Sequence, residues 1–303
     1  MKLERVVIGM DFSDHALDAA RWTAQHFAPD AELILVHVVE LPEPPSFLRA
    51  AFPTPANVEE NARHGAEQRL REVGIALGAE KIWPEVRVGR PADKIAEVAQ
   101  EFQADLIVVG EHGHTAGLRG ILGSTAEYLA RSSPAPVLLT HGAPDRPPKR
   151  ILLPVEESPL MDTALAWGRL LAETFGATAD GFYVISSSLL GRMRMVSSSS
   201  RTEELEGELL RDATRWLEER LAAAGITPEL GRAQVVIGDP ATEIIAGAQR
   251  LGSDLIILPT RGAGGVRQTL IGSVARSVIR GAPCSIFIVN HPVQPEGGQT
   301  TSS

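Results

Sequence analysis

The chain of 303 residues carries one pattern twice. The segment GRPADKIAEVAQ, beginning at Gly89, resembles GDPATEIIAGAQ, beginning at Gly238, 149 positions later. The same spacing carries Asp105-Leu106-Ile107 onto Asp254-Leu255-Ile256, Gly113 onto Gly262, Gly123-Ser124 onto Gly272-Ser273 and Pro134 onto Pro283. Near the start of each copy, RVVIGMDFSD from Arg5 resembles RILLPVEESP from Arg150, 145 positions apart. A spacing held without gaps over such a length marks a duplicated unit. The chain therefore reads as two copies of one domain, residues 1–143 and 149–292, followed by a disordered tail from 293 to 303. The joint is the linker-like GAPDRPPK, Gly142 to Lys149.

Each copy alternates short apolar runs with helical periodicity. In the first, strands are expected at Val6–Met10, Leu33–Val39, Trp83–Val88, Leu106–Val109 and Val137–Thr140. Helices are expected at Ala16–His26 after the N-cap residue Ser13, at Val58–Leu77, at Pro91–Phe102 and at Ser124–Arg131. The second copy repeats the plan, with strands near Ile151–Val155, Gly181–Ile185, Ala233–Ile237, Leu255–Leu258 and Ile286–Asn290. Continuous apolar strands separated by helices imply an α/β fold, a Rossmann-like parallel sheet covered on both faces. Ligands of such sheets sit at the carboxyl ends of the strands, where the strand order reverses.

Composition narrows the partners. With 29 basic against 38 acidic residues the net charge is −9, and the four lysines (Lys2, Lys81, Lys94, Lys149) form no cluster. No nucleic-acid partner is expected. No apolar run nears the roughly 20 residues that span a bilayer, so no membrane partner is expected either. A lone cysteine, Cys284, forms no intrachain disulfide, and MKLERVVIGMD does not read as a secretory signal. A cytoplasmic location is expected.

The chemistry is concentrated after the fourth strand, in GEHGHTAGLRGILGST, Gly110 to Thr125. Gly110 and Gly113 allow backbone N–H groups to approach an anion, and Gly123, Ser124 and Thr125 open a helix whose free N–H groups favour negative charge. Asp11, at the end of the first strand, can accept hydrogen bonds from a ribose or an adenine amino group. Capping or solvation is an equally good reading of Asp11.

These residues resemble the nucleotide-binding pattern of the universal stress protein family: Gly110, two residues, Gly113, nine residues, Gly123, then Ser124, with Asp11 ending strand one. The resemblance covers nearly the whole chain, twice, as a tandem form. It implies two adenine nucleotide alpha-hydrolase-like domains, each a five-stranded parallel sheet of order 3-2-1-4-5. It further implies ATP, with or without Mg, between the ends of strands one and four. Carried across by position, Asp11 and the backbone near Val38 hold adenosine. Gly110, His112, Gly113, Gly123, Ser124 and Thr125 surround the phosphates and ribose. His112 reads equally as a solvated loop residue. Relatives with one domain pair through their last strands, so the two copies are expected to form an internal pseudo-dimer, with a homodimer of whole chains also open.

The second copy departs from the pattern. Glu156 replaces Asp11, Pro259 replaces Gly110 and Val274 replaces Thr125, while Gly262, Gly272 and Ser273 remain. It is expected to bind ATP weakly or not at all. No Walker-type loop, nucleophile elbow or H-E-x-x-H helix occurs. His37 reads as a hydrogen-bonded strand histidine and Cys284 as a core residue. The stretches Leu41–Pro55 and Ser186–Ser200 are long loops, with lids or partner-binding segments as the sharper reading. The expected function is a stress-response protein that binds an adenine nucleotide in its first copy, as a sensor or regulator with an unidentified protein partner. The alternatives are a slow ATPase or nucleotidyl-transfer enzyme, and a partner-binding protein without nucleotide function.

Overall fold

A computed structural model describes residues 3–40, 56–79, 81–111, 123–142, 144–158, 160–188, 190–191, 202–260 and 271–290. The first copy runs β1 (Arg5–Gly9), α1 (Asp14–Trp22), β2 (Glu32–Val39), α2 (Ala56–Leu77), β3 (Ile82–Val88), α3 (Pro91–Glu101), β4 (Leu106–Gly110), α4 (Ser124–Ser132) and β5 (Val137–Thr140). The second runs β6 (Arg150–Pro154), α5 (Met161–Phe175), β7 (Thr178–Ser186), α6 (Thr202–Ala223), β8 (Ala233–Gly238), α7 (Pro240–Leu251), β9 (Leu255–Pro259), α8 (Ser273–Gly281) and β10 (Ser285–Val289). Within each copy the strands are parallel, in the order β3-β2-β1-β4-β5 and β8-β7-β6-β9-β10. The expected loop 41–55, residues 192–200 of the expected loop 186–200, and the tail lie outside the described residues, while Ser186 ends β7 and residues 187–188 and 190–191 are helical rather than loop.

The two sheets are one. β5 and β10 pair antiparallel, with Val137 opposite Ile288 and Leu139 opposite Ile286, which makes a sheet of ten strands. Alternation along the strands sends side chains to two faces. On one face Val6, Ile8, Leu106, Leu138, Phe287, Ile257 and Ile151 meet α1, α2, α5 and α6. On the other Val7, Ile107, Val137, Leu139, Ile286, Ile256 and Leu152 meet α3, α4, α7 and α8. Each core runs across both copies without a break.

Helix α1 departs from its expected course. It does not continue regularly to His26 but widens after Trp22 into a π-helical turn, Thr23–Phe27, with Ala28 N–H bonded to Thr23 O at 2.9 Å. The wider turn places Phe27, 2 % exposed, against Phe175 of the second copy at a ring separation of 5.2 Å. Trp22 Nε1–H donates to Arg146 O at 2.9 Å, which ties the same helix to the connection between the copies.

Some residues shared by both copies have plain structural duties. Asp105 accepts from Glu4 and Arg5 N–H at 2.8 and 2.9 Å, and Asp254 from Lys149 and Arg150 N–H at 3.0 and 2.9 Å. Arg5 donates to Phe102 O and Arg150 to Leu251 O, each at 2.6 Å. The repeated Asp-Leu-Ile thus seals the start of the central strand in each copy. At the outer edge, Leu33 N–H bonds to Lys81 O and Gly89 N–H to Val39 O. The alternation of a parallel ladder then turns the even-numbered residues of β3 outward, among them Pro84.

A shared core predicts shared unfolding. Phe287 is fully buried in β10, 5.0 Å from the Trp167 ring. Phe287→Ala is expected to cost about 3–5 kcal/mol. Near- and far-ultraviolet circular dichroism should still report one transition for both copies; two separated transitions would show that the copies unfold independently.

Candidate functional site

The carboxyl ends of β1, β2 and β4 bring together residues that are far apart in sequence. Ile8 lies opposite Val108 in β4, and Gly9 opposite Val36 in β2. Met10 N–H bonds to Val36 O at 2.8 Å, so Asp11 follows directly on the paired part of β1, while β2 runs on through Val38. Gly110, the last residue of β4, lies on the other side of β1. A Cβ on Gly110 would stand 3.1–3.2 Å from His15 in the first turn of α1, so a side chain here would crowd the helix that packs over it.

Asp11 has a local duty. One of its oxygens accepts from Ser13 N–H at 2.9 Å and Ser13 Oγ–H at 2.5 Å, while Ser13 Oγ accepts from Ala16 N–H at 3.3 Å. The turn between Asp11 and Ser13 is sharp enough to put Phe12 at φ +63°, an uncommon conformation for a residue with a side chain. The Phe12 ring is held at 4.6 Å from the His37 ring, with the Arg69 guanidinium 3.9 Å from its centroid. His37 Nδ1–H donates to Met10 O at 2.7 Å, which makes it the satisfied strand histidine the sequence suggested.

The start of α4 lies beside Glu111, the residue that follows β4. Gly123 is its N-cap with φ −59° and ψ 143°, and no side chain caps the helix. The first N–H groups of such a helix have no intrahelical partner. Ser124 is exposed and Thr125 half-buried. Among the described residues, a Cβ on Gly123 would meet only Glu111 O, at an ordinary 3.8 Å. Neither the backbone angles nor the described neighbours demand glycine here. His112 and Gly113 lie outside the described residues.

Two residues of this region have no part in the glycine pattern. Glu111 Oε2 lies 2.5 Å from His141 Nδ1, and this hydrogen bond raises the His141 pKa above the ordinary histidine value. His141 N–H also donates to Ser285 Oγ of the other copy at 3.0 Å. Alignment of the repeats offers one signal: Glu111 and His141 fall opposite Thr260 and Asn290, where the copies differ.

In the second copy Glu156 stands at the end of β6. Burial pushes its pKa up to about 6. Pro259 ends β9, and Gly272 N–H is bonded to Thr260 O at 3.0 Å. Cys284, buried at the start of β10, is pushed up to about 12, too high for a nucleophile near neutrality. Among the described residues no group of three or more acidic, histidine or cysteine side chains is placed to hold a metal ion, and no helix is long and apolar enough to cross a membrane.

Comparison with known proteins agrees with this architecture. The universal stress protein family model matches residues 2–141 and again 147–290. A universal stress protein of Mycolicibacterium smegmatis is 27 % identical over 296 residues, 94 % of this chain and 96 % of that protein. The crystal structure of a universal stress protein from Archaeoglobus fulgidus shares the fold, with a TM-score of 0.66 at 21 % identity, covering 95 % of this chain and 96 % of its own. A universal stress protein solved in complex with cAMP is 30 % identical and matches 46 % of this chain and 98 % of its own, with a TM-score of 0.35. The two matched segments together span both halves of the ten-stranded sheet, and the chain belongs to the universal stress protein family, in a tandem form.

Proposed function

We propose that the first copy binds an adenine nucleotide, ATP foremost, in the cleft between the ends of β1 and β4, and that the protein is a cytoplasmic, nucleotide-linked regulator of a stress response. The observation that carries this reading is the glycine-capped start of α4. A position with no conformational need for glycine, room for a Cβ among the described residues and a fan of helix N–H groups is suited to an anion that approaches the backbone closely. Asp11, Val38 and Gly110 stand at the carboxyl ends of the three neighbouring strands, where the base and ribose are assigned by motif. Ser124 and Thr125 add hydroxyls, and His112 and Gly113 belong to the same loop by motif. Magnesium, where present, would ride on the phosphates. The chain's contribution is binding: backbone donors hold charge without a catalytic base among the residues named.

The second copy is read as structural. Pro259 has no N–H where Gly110 has one, and Val274 has no hydroxyl where Thr125 has one. Glu156 also differs from Asp11 electrostatically, because its burial opposes the charge a ribose or amino group would need.

Calorimetry on the intact chain should therefore show one tight ATP site. Gly123→Val should weaken ATP by at least tenfold, about 1.4 kcal/mol, through steric exclusion, while its melting temperature stays near that of the parent. Gly272→Val should leave ATP affinity unchanged. Two equivalent sites, or equal losses from both variants, would remove the distinction between the copies.

A second measurement separates backbone from side-chain recognition. Ser124→Ala should lose about 0.5–1.5 kcal/mol of binding, and Arg119→Ala less than about 1 kcal/mol. An Arg119→Ala loss larger than that of Gly123→Val would mean a side-chain clamp.

Glu156 supplies a third. Its pKa in the fold exceeds its ordinary value of 4.5, so it favours the fold when protonated, and that contribution is lost as pH rises through about 6. Glu156→Gln should consequently raise stability at pH 8 by about 1 kcal/mol relative to its effect at pH 5, allowing for partial exposure. Equal melting shifts at the two pH values would contradict the buried carboxylate.

A further inference from the structure

The two ends of the β5–β10 seam are equivalent by the repeat, yet they are built differently. At one end Asn290, 1 % exposed, donates Nδ2–H to Ser133 O and Oγ at 3.2 and 3.1 Å, with Thr260, 3 % exposed, at the repeat position of Glu111. At the other end the equivalent of Asn290 is His141, paired with Glu111. A dry, neutral amide at one end is matched by a titratable pair at the other. The titratable end belongs to the copy that keeps the whole glycine motif.

Glu111 joins three parts of that copy. It follows Gly110 at the entrance of the glycine loop, and its N–H donates to Thr140 O at 3.2 Å in β5. Its carbonyl oxygen lies 3.8 Å from where a Cβ on Gly123 would stand, at the cap of α4. Its carboxylate turns to the imidazole of His141. A carboxylate beside a cradle for phosphates opposes the anion unless a cation offsets it.

Among the described residues, His141 is acted on by the charged group of Glu111. From β10 it faces Ser285, a hydrogen-bond acceptor, and Cys284, whose thiol stays protonated up to about 12. From α8 it faces apolar Ile279 and Ala282, and β5 adds Leu139 to the same cleft. On the helices of this layer, Arg280 of α8 and Glu127 of α4 stand 3.7 Å from each other.

We propose that His141 is a positioning residue for the nucleotide site: as an imidazolium it holds the Glu111 carboxylate at the seam and offsets its charge beside the phosphates, and loss of its proton weakens nucleotide binding. The inference rests on the nucleotide reading of the first copy. The sign follows from the pair. Glu111 raises the His141 pKa above its ordinary 6.5, so the ion pair is complete below that value and is lost as pH rises through the higher one. Nucleotide affinity falls over the same interval.

The test compares ATP dissociation constants of the intact chain and of His141→Gln from about pH 6 to about pH 9. Taking the ratio at each pH cancels the ionisation of ATP itself. The variant should bind roughly two- to fivefold more weakly at the acid end, the size of a partly screened charge contact, and equally at the alkaline end. Glu111→Gln should bind at least as tightly as the parent at the alkaline end, and adding His141→Gln to it should change nothing. A ratio that is the same at every pH would assign His141 a structural role and overturn the proposal, as would weaker alkaline binding by Glu111→Gln. Such a result, with ATP still bound, leaves the nucleotide reading standing. Failure of the parent chain to bind ATP at any pH overturns both.

Discussion

The antiparallel pairing of β5 with β10 is the contact on which the rest of the molecule depends. Each copy alone would end in a hydrogen-bonding edge and an apolar flank beside it. Pairing the two edges satisfies the backbone groups and lets both helical layers close over one continuous sheet. The contact of Phe27 with Phe175 across the copies needs that alignment. Strand pairing fixes the geometry, and the burial that follows supplies most of the stability.

Much of the fold is legible in the sequence because duplication repeats the evidence. Runs such as Leu106–Val109 and Leu255–Leu258 announce strands covered on both faces, and their shared spacing aligns the copies. The π-helical turn after Trp22 is not legible, since the periodicity of the segment is compatible with a regular helix. What decides between the two is the packing of Phe27 against a residue far away in the chain.

The site was legible in part. The glycine spacing identifies the loop, but the physical reasons for its glycines differ: His15 packs against Gly110, whereas Gly123 has space around it. Asp11 serves its neighbour Ser13, which is the local reading of that residue. Glu111 and His141 carry no motif. Their pairing comes from the sheet, which sets the residue after β4 beside the residue after β5, and single positions in a sequence do not display that.

Among the described residues, a sheet that joins its own halves keeps β3 and β8 as its borders. On β3, Pro84 removes an outward-facing donor midway along the strand, so an extended segment laid against that border finds its ladder interrupted. Growth by strand addition is therefore blocked on one flank by a residue that costs the interior ladder nothing. Having used one pair of edges to become a single body, the chain carries on its β3 border a residue that disfavours repeating the same pairing with a neighbour.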